Sequence, residues 1–348
     1  MNLVHHLHAN ARSFPDRIAL IDGAGSRTRK VTYNDLSRMV GATARQLREA
    51  GLVTGDSIML FQPVSLELYV FLLGVLHAGM IAVFLDPSAT PAFVAQACGR
   101  VASAGFFGNR RAQLLRFKHP PMRAIRSCWT SAWFPGAKLL SLRPESAGDP
   151  EHVGPEHPAL ITFTSGSTGT PKAAMRSHGF LLAQHAALAE AIHLRPGQVD
   201  LLTLPVFALA NLASGLTTVL PATDISRPAQ VDILSLARQA IATGATRCAG
   251  SPALFRRFAD NKCLPPFEAI YTGGAPVFPS LLDQLHHLRP EMAIHAVYGS
   301  TEAEPIADLD HADFSPSDRA RVAAGSGLPA GRPTSTTRLA ILPDSNGR

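Results

Sequence analysis

The sequence predicts an α/β layer fold with a largely parallel sheet, and two observations carry that reading. Short apolar segments of strand length alternate with longer segments of helical periodicity through most of the chain, the pattern that parallel strands with helical crossovers require. The chain is also 348 residues long and 46% hydrophobic. That length buries a large core and suggests two or more domains or subdomains, which excludes global disorder.

Taken in order, "VTYNDLSRMVGATARQLREAG" opens with Thr32 three residues before Asp35, places Leu36, Val40, Ala44 and Leu47 on one face, and stops at Gly51; this is a capped amphipathic helix. "GDSIMLFQP" is then a short apolar strand closed by proline. Residues 68–85, "LYVFLLGVLHAGMIAVFL", carry no formal charge and approach the length of a membrane span. His77 and the glycine turn before "MIAVFLDPS" favour instead a buried helix followed by a buried strand. Residues 106–155 break the rhythm: "FFGNRRAQLLRFKHPPMRAIR" is basic and suits either a solvated helical face or an amphipathic helix touching an anionic surface, and "LRPESAGDPEHVGPEHP" reads as a linker. The rhythm then resumes as strand "ALITF", a loop, helix "FLLAQHAALAEAI", strand "VDLLTLPV", helix "VDILSLARQAIATG", strand "ATRCAG" and helix "PALFRRFADN". "FEAIYTGGAPV", helix "PSLLDQLHHL" and "AIHAVYGSTE" complete it, and glycine and proline turns dominate from about Ala323. The expected divisions are 1–157, including a connector at 106–157, then 158–322 and 323–348. No internal repeat indicates a solenoid.

The formal net charge is +6, without a run of five or six basic residues or a basic–aromatic cluster. A mildly basic enzyme surface suited to an anionic ligand follows, and nucleic acid is not an expected partner. Cys98, Cys128, Cys248 and Cys263 lack metal-ligand spacing, and the N-terminus lacks a secretory pattern. Reduced thiols in a cytoplasmic protein are the expectation, with no transmembrane segment and at most peripheral membrane contact.

Chemistry concentrates in "FTSGSTGTPKAAMRSH", Phe163 to His178. Gly166 and Gly169 let backbone N–H groups converge on an anion, the hydroxyls add donors, and Lys172 supplies a point charge, so a loop after a strand can hold phosphates. It is not a Walker A loop, because Thr170 and Pro171 separate Gly169 from Lys172. A flexible Ser/Gly linker is the bland alternative.

The stretch "ITFTSGSTGTPKAAMRSH" resembles the signature of the adenylate-forming superfamily, which includes acyl-CoA synthetases, peptide-synthetase adenylation domains and luciferases. "YTGGAPV" at 271–277 resembles that family's adenine-binding turn, and "YGSTE" at 298–302 its aromatic-glycine-x-threonine-glutamate motif. The early segments "VTYNDLSRMVGATARQLREAGLVTGDSIML" and "LLGVLHAGMIAVFLDPS", and later "GSGLPAGRP", match in the family's order. The resemblance implies the large N-terminal domain of that fold: two α/β subdomains with mixed, mainly parallel sheets and the start of a small β-subdomain. It further implies that Thr164, Ser165, Gly166, Ser167, Thr168, Gly169 and Lys172 grip the β- and γ-phosphates of ATP. Gly273, Gly274, Ala275 and Pro276 would line the adenine, Tyr298 would stack on it, and Gly299, Ser300 and Thr301 would follow, with Thr301 at the α-phosphate. Glu302 would help hold Mg²⁺, a hard ion that favours oxygen ligands. A core aromatic role for Tyr298 and a helix-dipole role for Glu302 are the plain alternatives. The implied chemistry is attack of a carboxylate on the α-phosphorus of ATP, giving acyl-AMP and pyrophosphate, with Thr301, Glu302 and Lys172 as the catalytic candidates.

Two departures qualify the resemblance. Ala208 in "LPVFALANLASG" stands where many relatives carry a histidine, so that histidine's role does not transfer. With "FFGNRRAQLL" and "GGAPVFP", this substitution looks most like the branch of β-lactone synthetases of bacterial olefin biosynthesis and its fatty-acyl relatives. Phe207, Ala208, Asn211 and Gly215 are the acyl-pocket candidates, for a long-chain fatty or 3-hydroxy-fatty acid, and CoA is a candidate acceptor. A non-catalytic nucleotide-binding or scaffold module is the alternative. The ribose-binding aspartate, hinge and lysine-bearing small domain of the family do not follow within the 348 residues. The expectation is therefore nucleotide binding with badly impaired turnover, so that pyrophosphate release by this chain with ATP and a fatty acid should be weak; vigorous release in that assay contradicts it.

Overall fold

The structure, a computed structural model, describes residues 2–85, 89–145, 148–165, 171–300 and 303–340. The chain forms two compact units, Met1–Ala183 with Asn211–Ala222, and Gln184–Ala210 with Thr223–Arg348.

The first unit begins with α1 (His5–Ser13), β1 (Ile18–Asp22), β2 (Arg29–Thr32) and α2 (Tyr33–Glu49). Thr32 caps α2 as its spacing predicts, its hydroxyl accepting the Asp35 N–H at 3.1 Å, and the Leu36, Val40, Ala44 and Leu47 face is buried. β3 (Ser57–Phe61) leads into α3 (Leu66–His77) and β4 (Ile81–Phe84). The uncharged 68–85 segment is thus a helix and a strand, and α3 is buried on every side from Leu68 to His77, as a helix apolar all round must be. No helix among the described residues is long and apolar enough to cross a membrane.

Next come α4 (Pro91–Arg100), β5 (Gly105–Gly108), α5 (Arg110–Lys118), α6 (Pro120–Arg123), β6 (Ser127–Thr130) and β7 (Lys138–Leu139). β8 (Pro158–Ser165) and β9 (Pro171–Ser177) complete a seven-stranded sheet in the order β7–β6–β5–β3–β4–β8–β9, parallel except for the last pair. β9 corrects the expected strand–loop–helix succession. The hydroxyl-rich stretch joins two antiparallel strands, and α7 (His178–Ala191) starts only after β9. "PKAAMRS" gives no apolar alternation of its own; pairing with β8 makes it a strand, as expected of an edge position.

The chain continues through β10 (Val199–Leu202), α8 (Phe207–Ala213) and β11 (Thr217–Val219). Within the first unit, β1 pairs with β11 in parallel and with β2 antiparallel. The second unit adds α9 (Ile233–Thr243), β12 (Arg247–Gly250), α10 (Pro252–Asp260), β13 (Ala269–Gly273), α11 (Pro279–Leu288) and β14 (Ala293–Tyr298). β15 (Ala307–Asp310), α12 (Pro316–Ala323) and β16 (Arg332–Pro333) follow. β10, β12, β13 and β14 pair in parallel, whereas β15 and β16 extend the edge antiparallel. Mixed, mainly parallel sheets are therefore observed.

Several buried polar side chains in each unit have specific partners. In the second, Arg247 is 1% exposed; its Nε donates to Asp200 at 3.0 Å and its Nη1 to the Ile192 carbonyl at 2.7 Å. In the first, buried histidines stay neutral. Burial, reinforced by neighbouring positive groups, lowers His77 and His178 to a pKa of about 4. His77 Nε2 donates to the Gly148 carbonyl at 3.0 Å, and His178 Nδ1 accepts the Leu3 N–H at 3.2 Å.

An unfolded histidine titrates near 6.5, so below that pH the unfolded chain binds protons that these two folded histidines refuse until about pH 4. Stability should therefore fall as pH drops from about 6.5 to 4, by up to ~1.4 kcal/mol per pH unit for each group. Urea midpoints measured across this window should decline less steeply in His77→Gln and His178→Gln; identical slopes in variants and parent would show that these histidines do not set the acid sensitivity.

Candidate nucleotide site

Parallel strands end at the same edge of their sheet, and ligands of open α/β sheets bind outside the carboxyl ends. In the second unit that edge is formed by Leu202, Gly250, Gly273 and Tyr298. At Gly273 the neighbouring strand is very close: a Cβ built there would lie 2.4 Å from the Val297 carbonyl oxygen. Gly274 then turns the chain with φ +75°, with open space where a side chain would point. Gly274, Ala275 and Pro276 are exposed, so this turn offers backbone groups to solvent beside the end of β14.

Tyr298, the last residue of β14, is 54% exposed, which excludes the core-aromatic alternative. Its carbonyl accepts the Ile306 N–H at 2.8 Å, and its residue pairs with Ala307 on β15, so the ring projects from an anchored backbone. Ser300 and Ala303 exchange backbone hydrogen bonds of 2.8 and 3.1 Å, and the Ser300 hydroxyl accepts the Ala303 N–H at 3.3 Å. Thr301 and Glu302 lie outside the described residues. The sheet thus brings together Gly273–Pro276 and Tyr298–Ser300, two of the three motif groups expected around the nucleotide.

The third group belongs to the first unit. Thr164 pairs with Lys172 and Ser165 with Pro171 across β8 and β9, and Lys172 is exposed. Gly166, Ser167, Thr168 and Gly169 lie outside the described residues. Among the acyl-pocket candidates, Phe207 and Ala208 are buried in the first turn of α8 and Asn211 is buried one turn further on. Gly215 follows the helix with φ +77°.

Sequence reading missed a buried assembly behind the strand ends. The Arg247 guanidinium carbon sits 4.5 Å from the Tyr271 ring centroid, and Tyr271 stacks on His295 at 5.0 Å with planes 15° apart. His295 Nδ1 donates to Asp308 at 3.0 Å. Burial disfavours the imidazolium, but the hydrogen bond and the charges of Asp308 and Asp310 outweigh it and raise the His295 pKa. Asp200 and Arg247, opposite charges inside two apolar strands, were the available signal.

No group of three or more His, Cys, Asp and Glu side chains that could hold a metal occurs among the described residues. Glu302, the one metal candidate from the sequence, lies outside the described residues; a carboxylate together with phosphate oxygens would be chemically suited to Mg²⁺.

The AMP-binding enzyme family model matches residues 7–348, and the chain belongs to that family. It is 30% identical to an olefin beta-lactone synthetase of Xanthomonas campestris pv. campestris and to another of Stenotrophomonas maltophilia, in each case over 98% of this chain and 64% of the relative. The chain therefore spans less than two thirds of the length of these relatives. It is 27% identical to 4-coumarate–CoA ligase 5 of Oryza sativa subsp. japonica, over 84% of this chain and 56% of that one. Among solved structures, the amide bond synthetase McbA of Marinactinospora thermotolerans aligns with a TM-score of 0.79 at 22% identity, covering 96% of this chain and 65% of that one. The N-terminal domain of FACL13 from Mycobacterium tuberculosis aligns at 0.77 with 20% identity, covering 96% and 82%. The fold is that of the N-terminal domain of adenylate-forming enzymes.

The Gly273 contact generates a stability expectation. Gly273→Ala forces β13 from β14 and should cost ~1–3 kcal/mol as an overpacking change, whereas Gly274→Ala meets no atoms and carries only the left-handed backbone penalty of about 1–2 kcal/mol. Thermal unfolding reads both, and a Gly273→Ala midpoint equal to the parent's would contradict the close approach.

Proposed function

We propose that the protein activates a fatty or 3-hydroxy-fatty acid as its acyl-AMP, using ATP with Mg²⁺. The observation that carries this reading is the exposed Tyr298 ring beside the Gly273–Pro276 turn, at the carboxyl ends of parallel strands in a member of the AMP-binding enzyme family. Adenine lies against the turn and the Tyr298 ring, where a rigid aromatic contributes contact area at little entropic cost. Thr164–Gly169 and Lys172 hold the β- and γ-phosphates, and Thr301 contacts the α-phosphate. Glu302 holds Mg²⁺, which supplies charge neutralisation at the phosphates when bound.

A carboxylate oxygen of the substrate attacks the α-phosphorus, the bond to the β-phosphate bridging oxygen breaks, and pyrophosphate leaves with that electron pair. Both reactants are anions, so the protein's part is positioning and offsetting their repulsion, chiefly through Lys172 and the loop N–H groups. With Ala208 at its position, no side-chain base is assigned there, and an ionised carboxylate needs none.

The acyl-AMP then passes either to β-lactone formation, through attack of the 3-hydroxyl, or to CoA. The two olefin beta-lactone synthetase relatives support the first, and the CoA ligase relative the second. Titration calorimetry should show binding of ATP·Mg²⁺ and of a non-hydrolysable acyl-AMP analogue. Tyr298→Ala should weaken both by roughly tenfold while leaving stability within about 0.5 kcal/mol, as for other surface positions. No heat with either ligand sinks the reading and leaves a scaffold module. Incubation with ATP and a 3-hydroxy-fatty acid, with and without CoA, separates the two products when they are detected by a method sensitive enough for the weak turnover expected of these 348 residues.

A further inference from the structure

The longest carboxylate-free stretch of the sequence runs from Pro87 to Pro144 and contains nine Lys and Arg residues. Since the whole chain is +6 and this stretch +9, the remainder is net −3. The positive charge is thus a local property.

Within the first unit this stretch builds an unusual surface. Along α5, Arg110, Arg111, Leu114, Phe117 and Lys118 are exposed, spaced so that they share one face, while Ala112, Gln113 and Arg116 are buried. A surface helix ordinarily turns its large apolar residues inward. Here Leu114 and Phe117 point outward, each more than half exposed.

The segment after β6 extends this face. Trp133 is 69% exposed, and its carbonyl accepts Arg110 Nε at 3.2 Å. The Phe134 ring lies 6.3 Å from that of Phe117. β7, the edge strand of the sheet, adds exposed Leu139, while the adjacent Lys138 points to the opposite face over the Trp129 ring. Arg123 and Arg126 are also exposed. Among the described residues, none of Arg110, Arg111, Lys118, Arg123 and Arg126 takes part in an ion pair.

A lysine on an edge strand or a basic helix face alone is ordinary. Exposed Trp, Phe and Leu interleaved with cations outside any ion pair among the described residues form a more specific pattern, the composition of an interfacial membrane contact; the fold thus assembles the basic–aromatic cluster that the sequence read alone lacks. We propose that this face docks on an anionic lipid bilayer, its cations against headgroup phosphates and Trp133, Phe117, Leu114 and Leu139 in the interfacial layer. Charge complementarity selects an anionic surface; the two leucines favour lipid over nucleic acid, to which aliphatic side chains have little to offer. The proposal does not depend on adenylation, and its test uses no nucleotide.

The 348-residue chain should cosediment with vesicles of phosphatidylcholine plus phosphatidylglycerol and remain in solution with phosphatidylcholine alone. Only two tryptophans are present, and Trp129 is buried, so a blue shift on vesicle addition and quenching by brominated acyl chains report on Trp133. Arg111→Glu with Lys118→Glu should weaken binding by at least roughly fivefold per cation. Trp133→Ala with Phe117→Ala should weaken it by roughly tenfold or more. All four positions are exposed, and circular dichroism checks that the variants fold.

Failure of the unmodified chain to bind the anionic vesicles overturns the proposal. So does vesicle binding without any change in Trp133 emission, or binding to single-stranded RNA at least as tight as to vesicles.

Discussion

Arg247 stands on the first residue of a central strand with its side chain sealed from solvent, and an ion in that position is costly unless its charge is paired and most of its donors are used; Nε and Nη1 are hydrogen-bonded, while Nη2 has no hydrogen-bond partner among the described residues. Asp200 supplies the counter-charge from β10, and the Ile192 carbonyl accepts from beyond α7. Tyr271 and His295 stack in turn on β13 and β14, and Asp308 on β15 receives the His295 N–H. One guanidinium thereby links residues from five successive strands. A relative slip of these strands would turn their side chains to the other face and separate charges from their partners, so the assembly opposes slippage.

That register is what makes the exposed edge useful. Because β13 keeps its pairing with β14 to its own last residue, Gly273 meets Val297, and Gly274 leaves the sheet beside Tyr298, which β15 still holds. Gly273 permits the close approach and Gly274 the left-handed turn. Tyr298 can remain exposed because its backbone is fixed by β15. The result is a rigid backbone beneath an accessible aromatic ring.

The first unit solves a different problem. A helix as apolar as α3 has no solvent-facing side, so its surroundings must be apolar or consist of polar groups without charge. The neutral His77 meets that demand, with burial keeping its proton affinity low. Against this dry interior, the outward Leu114, Phe117 and Trp133 are conspicuous: the unit exposes apolar side chains where it also concentrates cations.

The sequence by itself determined the alternation of elements, the capped α2, the division of 68–85 into helix and strand, and the composition of the nucleotide motifs. Each is local, set by spacing, glycine placement or hydrophobic periodicity over a few residues. Tertiary structure decided what depends on partners distant in sequence. β9 exists because β8 offers it an edge, and its own residues carry no strand pattern. Between the exposed and the core position that the sequence left open for Tyr298, the fold selects the exposed one, because β14 ends at the sheet's rim. The Arg247–Tyr271–His295–Asp308 assembly joins residues up to 61 positions apart, and sequence spacing cannot register contacts made through lateral strand order. The basic stretch showed the same division: its charge was legible in the sequence, and only the packing of α5 showed that Leu114 and Phe117 face outward with it.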